Sequence, residues 1–329
     1  MKRRGALLLA AAGLAGVGLL TLSPGCSSGK GPWEGQPGSV RVVVTIPPLY
    51  SLVKAVGGDR VAVKCLCTTT GPHHFNADTR DVAMFRQANL FLAVGLQLDD
   101  VFADQLHALA RRRDLPFVKL GTRLPASPGL IGSTGEHVHA DGARHKTGKY
   151  DPHVWLGLPE MIALTDVVRD ELTAVDKDGE PTYKQRAEET RGRLTKLYEE
   201  GKALLKNKKN KRLVTSHEAL GYFARAFGLT IADTVQPWPG EAPTGKHLEE
   251  LVKLCSDKSN PVGAITVEPQ YKGSNAPRVL RDAIKGVDVP LVQIDTMETA
   301  DEAALTSQGA AWYEERMRQN IKDLADALP

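Results

Sequence analysis

The sequence predicts an α/β fold of two (β/α)4-like lobes, each built on a mainly parallel four-stranded sheet, joined by a long rigid helix. Three observations carry that expectation. From Val40 onward short β-branched runs alternate with helical stretches, the signature of βαβ units. The runs fall into two sets of four. Between the sets, Pro181 to about Lys206 places Leu194, Leu197, Leu204 and Leu205 at helical spacing, which makes one long connecting helix.

Taken in order, the chain opens with Lys2, Arg3 and Arg4 ahead of an apolar run from Ala6 to Leu20, followed by Ser23-Pro24-Gly25-Cys26. That is the layout of a secretory signal over residues 1–25, and a cysteine directly after small residues resembles a bacterial lipobox, with Cys26 as the lipidated residue. The Gly-, Pro- and Ser-rich stretch 26–39 reads as a flexible tether. The first lobe, 40–176, takes strands at 40–45, 61–67, 90–94 and 116–120, helices near 49–57, 78–88 and 98–112, and a helix over 159–175. The linking helix occupies 177–210, and its basic end, Lys206 to Arg212, suits the C-terminal helix dipole. The second lobe, 211–329, takes strands at 212–216, 229–233, 263–267 and 290–294. Its helices lie near 218–227, 245–257 and 273–286, and a last one opens at Thr299-Ala-Asp-Glu302, a capping-box spacing, and runs to about Leu324.

Composition narrows the function. The chain has 329 residues, 42% hydrophobic and 25% charged, with a formal net charge of +3. The three basic residues of the signal account for that whole excess, so the remainder is neutral and nucleic acid is not an implied partner. Aromatic content of 5% gives no base-stacking surface. Beside Cys26 stand Cys65, Cys67 and Cys255; outside the cytoplasm a disulfide from one of the first two to Cys255 is open.

The chemistry lies in the histidines. Four of nine fall between Gly135 and Leu156. His137, His139 and His145 sit among Gly, Asp and Lys, as in a surface metal-collecting loop. His153 sits in Asp151-Pro152-His153-Val154-Trp155-Leu156, where proline fixes the entry and an apolar run anchors the exit. Ligands of open α/β sheets bind beyond the carboxyl ends of the strands. There this chain places His73-His74 after the second strand, His217 after strand 212–216 and Asp295 after strand 290–294. With His153, three imidazoles and one carboxylate converge in the interlobe cleft, a set that suits tetrahedral Zn²⁺.

These motifs resemble the solute-binding proteins of bacterial ABC importers for zinc and manganese, from about residue 40 to the end. Pro72-His73-His74-Phe75 is similar to the family's Pro-His-x-(Tyr/Phe), Asp151 to Leu156 to its Asp-Pro-His-x-Trp-Leu, and Thr215 to Phe223 to its third-ligand segment. Glu268-Pro269-Gln270 and Ile294-Asp295 match its later cleft segments. The resemblance implies metal ligands His73, His153, His217 and Asp295, with Glu268 orienting a ligand histidine from behind. It also implies a monomer of the cell envelope, periplasmic or on the outer face of the cytoplasmic membrane and lipid-anchored, that hands Zn²⁺ to an ABC permease. Mn²⁺ is the alternative metal. Three positions depart from the family pattern: Gly71 where an acid commonly precedes Pro-His, Asn76 where Glu commonly follows, and Glu298 where Gly usually follows the fourth ligand.

Two other classes compete. A zinc hydrolase needs an open coordination position and a base, yet His217-Glu218 has Gly221 where HExxH requires its second histidine, and no nucleophile elbow or phosphate loop occurs. A surface adhesin is the other, distinguished by adhesion loss that added metal does not restore. The reading is therefore a binding protein and not an enzyme.

Overall fold

Parallel strands buried on both faces need apolar side chains on both, and the first sheet has them. In the computed structural model, β1 (Val40–Val44), α1 (Pro47–Gly57), β2 (Val61–Cys65), α2 (Thr79–Phe85), β3 (Leu90–Ala93), α3 (Asp100–Ala110) and β4 (Phe117–Lys119) form a sheet of order β2-β1-β3-β4. Every pairing is parallel, with Val42 opposite both Val63 and Leu90, and the three are buried. The structure describes residues 31–36, 38–127, 129–133, 148–236, 242–271 and 275–329, and the backbone alone at 136–138 and 144–146. The expected signal, Cys26 and His139 lie outside the described residues, as do the side chains of His137 and His145. Backbone at Glu136–Val138 (β5) pairs antiparallel with Arg144–Lys146 (β6), which sets His137 opposite His145 in register.

The linking region is helical throughout. The helix α4 (Leu158–Val175) and the 27-residue α5 (Glu180–Lys206) each carry proline in the first turn, where its missing N–H costs nothing. The second half then repeats the first: β7 (Arg212–Thr215), α6 (Gly221–Phe227), β8 (Thr230–Thr234), α7 (Gly245–Ser256), β9 (Ala264–Val267), α8 (Ala276–Ala283) and β10 (Leu291–Gln293). The sheet order is β10-β9-β7-β8, again parallel. The long helix packs on α1 and α4 of the first half and on α6 and the terminal helix of the second.

Pro32–Pro329 is a single compact unit. A continuous apolar core runs from β1–β4 through Trp155, Leu194 and Leu197 to Leu213, Ala264 and Val292. The outer face of the second sheet has its own cluster around Val214, Leu251, Cys255 and Ile265. Cys67 belongs to the first cluster and Cys255 to the second, and all three described cysteines are free thiols. Among the described helices none is long and apolar enough to cross a membrane.

The C-terminal helix differs from expectation. It is two helices, α9 (Glu302–Gln308) and α10 (Trp312–Ala327), separated at Gly309, whose φ of +54° no α-helix accommodates. Its start differs too. Asp301, not Thr299, caps α9 by accepting from Ala304 N–H at 2.8 Å.

Candidate metal centre

The site is assembled from four connections, each beginning near the carboxyl end of a strand or just before a helix. After β2 the chain turns through a three-residue 3-10 helix, Pro72–His74, where Pro72 is pre-set for the turn and His73 projects from it. His153 follows Pro152, and Asp151 Oδ1 accepts both its backbone N–H at 2.9 Å and its ring Nδ1 at 2.8 Å. Trp155 holds this turn down: its indole N–H donates to the Thr296 carbonyl at 2.8 Å, and Tyr313 O–H donates to the Trp155 carbonyl at 2.7 Å. His217 leaves β7 through Ser216, whose N–H donates to Thr266 Oγ1 at 3.0 Å. Its Nδ1 meets Glu268 Oε1, beyond β9, at 2.6 Å.

The fourth position differs from the expected one. Asp295 does not join the histidines. Its carboxylate turns back on its own backbone and accepts from Met297 N–H at 2.8 Å, while Asn320 clamps its main chain from both sides. A short Asp side chain readily closes such a turn two residues on. Met297 takes up the left-handed conformation at φ +60°, and the next residue, Glu298, brings its carboxylate to the three histidines. The carboxylate that meets the three histidines is thus Glu298, three residues beyond the expected Asp295.

His73, His153, His217 and Glu298 offer one ligand atom each, all within 4.8 Å of one another. Glu298 Oε1 lies 3.7 Å from His73 Nε2, 3.6 Å from His153 Nε2 and 3.2 Å from His217 Nε2. Donors about 2.0–2.1 Å from a tetrahedral zinc stand about 3.3 Å apart, and the three edges to Glu298 lie near that length. The ring centroids are 5.4–6.0 Å apart. His153 Nε2, His217 Nε2 and Glu298 Oε1 are buried and make no hydrogen bond, so lone pairs aimed at one point are left to a ligand. Glu298 itself is 0% exposed.

The surrounding charges set protonation. Burial disfavours charge on His73 and lowers its pKa. Burial acts the same way on His153 and His217, but Asp151 and Glu298 outweigh it for the first and raise its pKa. For the second, Glu268 and Glu298 push it up to about 10. Glu298 is held well below the carboxylate range: burial alone would raise it, but the three imidazoles that face it prevail. The second Glu298 oxygen, Oε2, accepts from the Tyr271 hydroxyl, whose own pKa burial and the neighbouring carboxylate raise. Without a metal His217 keeps its proton at neutral pH, and a cation bound there must displace it.

Glu268 stands behind His217, at the position expected of it. Asp151, Tyr271 and Glu298 are the residues the sequence reading did not assign. Asp151 opens the Asp-Pro-His motif, Tyr271 adjoins Glu268-Pro269-Gln270, and Glu298 departs from the family pattern; a carboxylate in place of a glycine is its signal. The hydrolase alternative also meets a steric fact. A side chain at Gly221 would put its Cβ 2.5 Å from Asp151 Oδ2.

A family model described as ZnuA, zinc-uptake complex component A, periplasmic, matches residues 42–327. Zinc-binding lipoprotein AdcA of Streptococcus pneumoniae is 28% identical over 268 residues, 80% of this chain and 52% of that protein. A putative metal-binding protein of Treponema pallidum is 28% identical over 306 residues, 93% of this chain and 92% of that one. The chain spans about half the length of the streptococcal relatives it matches. Among solved structures, the Mn²⁺ complex of FpvC from Pseudomonas aeruginosa has a TM-score of 0.74 at 24% identity, over 88% of this chain and 98% of that one. Zn(II)-bound AdcA from Streptococcus pneumoniae has 0.68 at 24%, over 88% and 58%. At such identities the likeness is one of fold.

Proposed function

The chain belongs to the ZnuA family of periplasmic zinc-uptake components, and from that premise we propose that it is the solute-binding protein of an ABC importer. It captures one Zn²⁺ through His73, His153, His217 and Glu298 and delivers it to a permease. The observation that carries the reading is the buried convergence of three imidazole nitrogens and one carboxylate oxygen within 4.8 Å. A nitrogen-rich, four-donor set favours Zn²⁺ over Mn²⁺, which prefers more oxygen donors and a higher coordination number. With four protein donors facing the ion, no position is left for the activated water of a hydrolase, which agrees with carriage instead of turnover.

The same reading assigns residues 1–25 to a signal peptide, Cys26 to a lipid anchor outside the cytoplasmic membrane, and 26–39 to a tether. Residues 40–176 and 211–329 form the lobes that close on the metal, with 177–210 linking them in a monomer. His137, His139 and His145 act as an auxiliary collector when metal is scarce. The direct test is calorimetric titration of the mature protein with Zn²⁺. One site is expected, and His153→Ala weakens it by at least about tenfold; unchanged affinity in that variant removes the assignment. Zinc-dependent growth of a deletion strain in chelated medium tests delivery.

A further inference from the structure

We propose that Tyr271 fixes the coordination number of the centre, and with it the choice between metals, by holding Glu298 to one ligating oxygen. The inference rests on the metal-binding reading above and deepens it. A carboxylate can bind a cation through one oxygen or both. Here the two are divided: Oε1 faces the three imidazoles, and Oε2 accepts the Tyr271 hydroxyl. Swinging Oε2 toward the metal would break that bond inside a site where Glu298 is 0% exposed, so the carboxylate gives up its tyrosine partner with no bulk water in its place. The tyrosine is itself located, because its ring meets the His217 ring edge-on, with centroids 6.3 Å apart and planes at 84°.

Gly71 completes the arrangement from the opposite sheet. Its φ of −69° is open to any residue, so the backbone does not demand glycine. Space does. A Cβ at that position would stand 2.9 Å from the Tyr271 oxygen, 3.5 Å from Glu298 Oε2 and 3.7 Å from Thr299 Cγ2. The bare α-carbon after β2, the phenol after β9 and the carboxylate after β10 are therefore one unit spanning the cleft. Its consequence is chemical. With one oxygen from Glu298 the shell is three nitrogens and one oxygen, which Zn²⁺ accepts as complete. Releasing Oε2 adds a fifth donor and a second oxygen, a shell that moves toward Mn²⁺.

The experiment compares wild type, Tyr271→Phe and Gly71→Ala as full mature chains, by competition titration of Zn²⁺ against Mn²⁺ and by visible absorption of the Co²⁺-loaded forms. Removing the hydroxyl, or displacing it with the new methyl group, should cut the preference for zinc by about tenfold or more, the scale of outer-partner effects. Stoichiometry stays at one, and the Co²⁺ bands weaken as the ion passes from four to five donors. If Tyr271→Phe and Gly71→Ala bind both metals with the wild-type ratio and give the wild-type cobalt spectrum, the proposal is wrong while the binding reading stands. Equal weakening for both metals, with the ratio kept, is a structural effect and also overturns it. A wild-type chain that takes up neither metal brings down both.

Discussion

The two halves of the chain bring unequal chemistry to the same site. The first supplies imidazole alone, His73 and His153. The second supplies His217 together with the carboxylate Glu298 and the groups that brace both. On the first side the imidazole itself is braced locally, by Asp151 two residues away at 2.8 Å, although its turn is tied down by Thr296 and Tyr313 through Trp155. On the second the bracing is tertiary, since Glu268 reaches His217 across 51 residues and Tyr271 reaches Glu298 across 27. Distance along the chain does not decide which brace a motif reveals: the remote Glu268 is expected from its own segment, whereas the adjacent Asp151 and the remote Tyr271 come to light only in the structure.

The largest test of that comparison sets the two carboxylates of the β10 turn against each other. Glu298→Ala should weaken Zn²⁺ binding by more than about 100-fold, beyond the range for an outer partner, whereas Asp295→Asn changes it by less than about threefold. Competition with a chelating dye reads both, and the reverse ranking would restore Asp295 to the shell. Next come the braces. Glu268→Ala and Asp151→Ala should each cost about 10–100-fold in affinity. Glu268 should cost more, because its contact is shorter and its side chain is 4% exposed against 14% for Asp151. Equal losses would erase the distinction between local and tertiary support.

A subtler effect follows from pH. In the metal-free fold Glu268 and Glu298 overcome burial and raise His217 from 6.5 to about 10. A raised pKa means that the folded state holds the proton more tightly than the unfolded chain does. The stabilisation is complete below about pH 6.5 and is lost as pH climbs through about 10. Zinc must expel that proton, so affinity rises over the same window, up to about tenfold per unit for one proton. Thermal unfolding between pH 7 and 9 should show the apo protein losing stability while the zinc-induced shift grows. A constant shift would mean that His217 is already neutral. The smallest expected effect is at the hairpin. Deleting 136–146 should leave calorimetric affinity at the centre unchanged and reduce uptake only at scarce metal.

Much of the architecture is written in local patterning. The eight principal strands stand where β-branched runs predict them, because a parallel strand buried on both faces needs a continuous apolar run. The helix expected from Thr299 to about Leu324 failed for a local reason of another kind. Its apolar spacing continues across Gly309, but the backbone there turns to φ +54° and starts a new helix.

At the centre, the sequence by itself determined the three histidines: each follows a strand end or a proline turn, so its backbone direction is set within a few residues. For the carboxylate after β10 it pointed to Asp295. Which carboxylate was decided by tertiary structure. Asn320 on α10 grips both backbone groups of Asp295, and the Asp295 side chain closes a turn on Met297. Tyr271 and the space above Gly71 receive Glu298. A one-dimensional pattern cannot rank two acids three residues apart, because the ranking depends on which one finds partners from distant strands. Buried polar atoms go where their bonds are made.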